Sequence, residues 1–324
     1  MSASTPTPTR TLLIIAFATI YLVWGSTYLA IRVAVETMPP FAMAAVRFLI
    51  AGTLMGSVLL LRGAVWPTAR QWRDNVVVGL FLLLGGNGLV VWAEQFIPSG
   101  VAALLIGIGP LFIVLIEWAW PGGTRPSAIT IAALLIGLFG VAWLAAPWES
   151  ASTGGLHVGG VIALIMACAL WSLGSIISRH AKSGAPPLVA ASVQMLGGGA
   201  GLTLAGLLHG DFARVDLGAI TSHAWISFIY LILFGSLVGY SAFAFLLKHS
   251  QPARVATFAY VNPVVAVFLG WLFLDEPITT RTLVASAIII AAVVIITLQK
   301  SKPKATPVAT TVAPLKPATE SAKA

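Results

Sequence analysis

The chain has 324 residues, 58% of them hydrophobic and only 9% charged, with a mean hydropathy of +0.97. A soluble domain carries roughly a quarter charged residues, so too few charges exist to give a globule of this size a water-facing surface. Secreted, nuclear and cytosolic classes are excluded, and an integral membrane protein remains. The formal net charge of +8 would suggest phosphate contacts in a soluble protein. In a membrane chain Lys and Arg gather on the cytoplasmic side against anionic headgroups, so membrane lipid, not nucleic acid, is the expected partner.

Residues 1–10 are rich in Thr, Pro and Ser without an apolar period and read as a disordered cytoplasmic tail. Apolar runs long enough to cross a hydrocarbon core of about 30 Å then fall at 11–31, 40–61, 75–93, 100–120, 127–146, 158–178, 187–208, 223–247, 254–273 and 280–298. Met38-Pro39-Pro40, the polar run Arg70 to Asp74, Pro121-Gly122-Gly123, Ala185-Pro186-Pro187 and Asp275-Glu276-Pro277 separate them. Barrel strands need only about ten alternating residues, so an all-α protein of ten transmembrane helices is predicted. The first run is too long for a signal peptide and reads as a retained anchor. Residues 299–324 form a second disordered tail, and the single cysteine, Cys168, excludes an intramolecular disulfide.

If the spans alternate sides with both tails inside, 14 of the 18 basic residues are cytoplasmic and three, Arg32, Arg214 and Arg281, are outside; Arg47 lies within a span. The bias predicts cytoplasmic termini.

Shifting the sequence by 147 positions aligns Trp24 with Trp171, Arg32 with Arg179, Pro39-Pro40 with Pro186-Pro187 and Gly52 with Gly199. An offset of 153 or 154 pairs Pro98 with Pro252 and Pro110 with Pro263. The rare residues in one register make an internal repeat. Residues 11–146 and 158–298 would each hold five spans, and an odd number forces the second copy to enter from the opposite face. Such inverted repeats place a substrate near the bilayer midplane in secondary transporters.

Trp24-Gly25-Ser26-Thr27-Tyr28-Leu29-Ala30-Ile31-Arg32 with Pro39-Pro40 and Arg47-Phe48, Gly86-Asn87-Gly88 with Pro98-Ser99-Gly100-Val101-Ala102-Ala103-Leu104, and Pro252-Ala253-Arg254-Val255-Ala256 with Tyr260-Val261-Asn262-Pro263 and Glu276-Pro277 resemble the EamA-type drug/metabolite transporter superfamily. The resemblance covers residues 11–298. It implies two inverted five-helix repeats around a central cavity, in a bacterial inner-membrane exporter of amino acids or related small metabolites.

Arg47 is the buried charge to explain. A cation at mid-span costs about 2.5–3.5 kcal/mol on insertion scales, so it either attracts a substrate carboxylate or satisfies helix carbonyls or Glu94; its repeat mate is the neutral Gln194. Trp24 and Trp171 sit near mid-span, away from the interfacial belt, and suit either stacking on a solute or helix packing. Asn87, Tyr240, Tyr260 and Asn262 are further mid-span polar groups that need a helix or a solute as partner. Pro110 and Pro263 are hinge candidates because each removes a backbone bond. Gly52 and Gly56, Gly197 and Gly201, and Gly235 and Gly239 have the spacing of close-packing faces.

Glu117 reads as an interfacial carboxylate or a proton acceptor, but no acidic pair or His chain marks a proton relay, so coupling stays open. His157, His180, His209, His223 and His249 stand singly in loops without ligand spacing, so neither a metal nor another cofactor is expected. An intramembrane enzyme would need a cluster of Asp, His or Cys in the spans, and a channel would need rings of like groups; neither is visible. The expectation is an efflux carrier for a small-molecule substrate, with an importer or a translocator of sugar- or nucleotide-linked compounds as the alternative, and monomer or homodimer undecided.

Overall fold

A computed structural model describes residues 9–123, 125–145, 156–181, 184–250, 252–255 and 257–300. Residues 1–8, 301–324 and most of the 146–157 connection, including nearly all of both expected tails, lie outside the described residues. Every described regular element is helical. Seven helices are long and apolar enough to cross a membrane: Arg10–Ala34, Pro40–Leu61, Ala69–Ala93, Ser99–Ala119, Val158–Ala181, Pro187–His209 and Ser222–Leu246. Shorter apolar helices cover Ala128–Leu144, Phe258–Leu274 and Thr280–Ile296. Leu12, Ile14, Ile15, Leu204, Leu207 and Leu208 are among many large apolar side chains left exposed, which is the surface a lipid solvent requires.

Local chemistry explains the boundaries. Thr9 accepts from the Leu12 N–H at 3.4 Å and starts the first helix. Pro40 and Pro187 occupy first helical positions, where the missing N–H costs nothing. Gly210, with φ of 77°, ends helix 187–209 in the left-handed region. The third helix begins at Ala69, not near 75, because Thr68 and Gln71 form a reciprocal capping box and the polar run Arg70 to Asp74 is its first turns. The ninth begins at Phe258, after a separate turn at Pro252–Val255.

Three helices depart from α geometry. Leu80–Gly88 and Leu231–Val238 are π-helical stretches inside helices 69–93 and 222–249. The fourth apolar segment breaks at Gly107-Ile108 into Ser99–Ile106 and Gly109–Ala119. Pro110 sits in the first turn after that break, so it interrupts no bond there. Helix 158–181 covers the carbonyls around the break: Cys168 Sγ donates to Leu105 and Ile106, and Ser172 Oγ donates to Gly109 at 3.1 Å. Pro263 stays inside a continuous helix and lies against Gly107, where a Cβ would come within 3.2 Å of its ring.

Helices 40–61 and 187–209 form the closest seam. A Cβ on Gly52 would lie 3.0 Å from Met195 Cβ, and one on Gly199 would lie 3.1 Å from the Leu49 nitrogen. Ser192 Oγ donates across this seam to the Gly52 carbonyl at 2.9 Å. Gly56 and Gly201 meet side chains, but Gly52 and Gly199 serve backbone approach across this seam and Gly197 does so against Val76 of helix 69–93. Gly235 and Gly239 face side chains instead.

Candidate functional site

Arg47 lies seven residues inside helix 40–61, about 10 Å from its start at 1.5 Å per residue, and only 3% of it is exposed. Its Nε donates to Ser236 Oγ at 3.0 Å, its guanidinium covers the Phe48 ring at 4.6 Å, and its Nη1 has no partner. It forms no ion pair with Glu94, so that resolution of its charge is not the one adopted.

The π-helical stretch 231–238 is built to receive it. A Cβ on Gly235 would sit 3.1 Å from Arg47 Nη2 and 3.1 Å from Thr27 Cγ2, and a Cβ on Gly239 would overlap Trp24 Nε1. Both glycines therefore make room for the two largest polar side chains of the site. The Trp24 indole donates to the Gly235 carbonyl at 3.2 Å, meets Tyr240 edge-on at 5.7 Å, and touches Phe243 and Phe258. Ser26 Oγ and Tyr230 Oη, 2.6 Å apart, tie the same two helices one turn away. Stretches of π-helix recur at functional positions because they widen the turn and displace carbonyls.

Of the residues singled out from sequence, Trp24, Arg47 and Tyr240 are brought together here. Asn262, 7% exposed, borders them: its amide nitrogen faces the carbonyls of Tyr21 at 3.3 Å and Phe258 at 3.2 Å. Trp171 packs on Gly86 beside Asn87 in the first π-helical stretch, and the Asn87 Oδ1 is buried without a donor. Tyr260 packs against the hydrophobic core. Gln194 lies elsewhere, donating to Asn75 Oδ1 at 3.0 Å between helices 187–209 and 69–93. Glu117 pairs with Arg179 at 2.8 Å. His180, His209, His223 and His249 are in helix end turns, not loops. No group of three His, Cys, Asp or Glu gathers among the described residues.

Sequence reasoning missed Ser236; it named Glu94 only as a possible partner of Arg47, and it gave Glu276 and Asp211 no role of their own. Glu94, immediately past helix 69–93, is fully buried, and neither carboxylate oxygen has a donor. Arg32 engages the backbone carbonyl of Gln95 at 3.0 Å and that of Glu94, not the Glu94 carboxylate. Glu276 accepts from the Ser99 N–H at 2.7 Å and the Gly100 N–H at 3.0 Å, capping helix 99–106. Gly270 permits this approach, since a Cβ there would overlap the carboxylate. Asp211, fully buried, likewise caps helix 40–61 through the Phe41 N–H at 2.7 Å and the Ala42 N–H at 3.2 Å, and Arg214 and His209 cover its other oxygen. A cavity of about 520 Å³ opens beside the Glu276 cap, lined in part by Pro98, Gly100, Val267, Arg281 and Thr282.

Lipid-facing helices enclosing an unpaired cation and polar aromatics belong to a multi-pass membrane transporter. The chain belongs to the EamA-like transporter family, whose model matches residues 11–146 and 158–298. It is 35% identical over 299 residues to the uncharacterized inner membrane transporter YedA of Escherichia coli K12, covering 90% of this chain and 94% of that one. It is 25% identical to the uncharacterized transporter YvbV of Bacillus subtilis, over 92% of this chain and 94% of that one. A solved crystal structure at 22% identity matches with a TM-score of 0.62 over 91% of this chain and 100% of that one, which shows a shared fold.

Proposed function

We propose that this chain is a secondary transporter of the bacterial inner membrane, both termini cytoplasmic, that exports small amino-acid-like or drug-like solutes by alternating access. Ten crossings form two inverted five-helix repeats, 11–146 and 158–298, around a mid-membrane chamber, and no step is catalytic. The carrying observation is Arg47: a guanidinium 3% exposed at mid-helix, held by one neutral hydroxyl, with Nη1 unpartnered. An uncompensated cation at that depth is expensive, and an incoming carboxylate supplies the missing charge-assisted bonds. The π-helical stretches support the repeat, because they begin 151 positions apart at Leu80 and Leu231, close to the offsets of the sequence match. The inner-membrane placement agrees with that of YedA.

Reconstitution of the full chain in proteoliposomes tests this reading. Saturable uptake of a labelled amino-acid mixture, accelerated by unlabelled mixture on the far side, is expected. Flux without saturation or counterflow refutes a carrier.

A further inference from the structure

Among the described residues, Glu94 joins Arg47 as a buried charged group with side-chain atoms left without a hydrogen-bond partner. Glu94 has no accessible surface, and both oxygens lack a donor. The groups around it are Tyr28 and Arg32 on helix 10–34, Arg47 on helix 40–61 and Glu276 in the connection after helix 258–274. Arg32 is occupied by backbone carbonyls, and Glu276 by the Ser99 and Gly100 N–H groups. Cys168, on the adjoining helix 158–181, is turned to the Leu105 and Ile106 carbonyls. Arg47 reaches Glu94 electrostatically without pairing with it. The helix carrying Arg47 packs on the 89–93 turn, so the two buried groups of opposite sign lie on adjoining elements, each with polar atoms left without a hydrogen bond. Asn87 Oδ1, seven residues before Glu94 on the same helix, and Ser99 Oγ are the other buried polar atoms without partners among the described residues.

A carboxylate in such surroundings is disfavoured in its charged form unless a cation joins it. Arg47 already invites a carboxylate; Glu94 is the complementary pole.

We propose that Glu94 is a proton–ammonium exchange site: it holds a proton when the chamber is empty and gives it up when the ammonium group of a zwitterionic solute docks against it. The O–H bond of the carboxylic acid breaks, its electron pair stays on the carboxylate, and one proton leaves to water as one ammonium–carboxylate pair forms. Solute and proton thereby compete for the same oxygens, and outward movement of one is linked to inward movement of the other. This inference rests on the carrier reading.

The test uses the full chain in lipid nanodiscs and infrared difference spectroscopy of wild type against Glu94→Gln. The expected result near neutral pH is a carbonyl band of a protonated carboxyl group, absent in E94Q and moved in Glu94→Asp, which keeps the proof available if E94Q folds poorly. A mixture of the twenty amino acids should remove the band and release about one proton per chain to a dye in weak buffer, whereas the N-acetylated mixture should leave it. Affinity for the free amino acids should fall at least about tenfold in E94Q, the loss of one charge-assisted contact. Absence of the band in wild type overturns the proposal. So does a band that persists while thermal stabilisation shows amino acids bound, and that outcome leaves the carrier intact. A band that responds as expected in protein without counterflow refutes the carrier and not the site.

Discussion

Replacing Arg47 by Met separates binding from folding. The variant removes a guanidinium whose burial at mid-helix costs about 2.5–3.5 kcal/mol on insertion scales. It also takes the Nε donor from Ser236 Oγ, a fully buried hydroxyl, at a cost of about 1–3 kcal/mol. The two terms nearly cancel, so the purified variant should melt within a few degrees of wild type in detergent. Binding should respond differently. A charge-assisted contact to a carboxylate contributes about 1.5–3 kcal/mol, so half-saturation of counterflow should rise about ten- to hundredfold for carboxylate-bearing solutes. The methyl esters of those solutes should be transported by variant and wild type alike. Wild-type half-saturation for the free acids refutes the assignment. So does a stability loss of about 3–5 kcal/mol, the signature of a broken buried ion pair.

Gly239→Ala should abolish counterflow while the protein still elutes as a folded species, because a Cβ there overlaps the Trp24 indole nitrogen; wild-type flux would show that the indole position is immaterial. Asp211→Asn weakens two charge-assisted backbone caps and the contact to Arg214, and should lower stability by about 2–4 kcal/mol in thermal unfolding; an unchanged melting point counts against the cap. Burial, reinforced by negative Glu276 and opposed by Arg32 and Arg47, raises the Glu94 carboxyl well above the usual carboxylate range. Its contribution to stability is therefore fully present below the unfolded-chain value of about 4.3 and lost as pH rises through the folded value. Wild type should melt at progressively lower temperature across that window relative to E94Q, and parallel curves would contradict it.

Much of the architecture is written in hydropathy, and what hydropathy leaves out is written in polar atoms. The span 40–61 can be read to the residue because Pro40 fixes its start and the apolar run supplies the rest. The third helix cannot be read from hydropathy, since its first turns are polar; the Thr68-x-x-Gln71 signature marks its true start. The π-helical stretches leave no such trace. Gly235, read with Gly239 as a close-packing face, lies in one of them, and Asn87, read as a mid-span polar group, lies in the other. A match in sequence register also says less about a site than it first suggests: Gln194 lies 147 positions after Arg47, yet it is bonded to Asn75 between helices 187–209 and 69–93. Glu94 looks like an ordinary carboxylate at a helix end, because the charges that act on it, Arg32 on helix 10–34 and Glu276, come from far away in sequence.

In hydrocarbon the unfilled hydrogen bond is the costly one, and most polar groups inside these helices obey that rule. Gln194 takes Asn75, Ser172 takes the Gly109 carbonyl, Ser192 takes the Gly52 carbonyl, and Trp24 takes the Gly235 carbonyl. Among the described residues the exceptions are confined to Arg47, Asn87, Glu94 and Ser99. All four lie between residues 47 and 99, in or beside helices 40–61, 69–93 and 99–106, and Asp211 and Glu276 cap the first and last of these. Of the four, Arg47 and Glu94 carry opposite signs and act on one another electrostatically without pairing. Under the proposed carrier reading, a solute with complementary charges at its two ends would give Arg47 and Glu94 the charge-assisted bonds they lack.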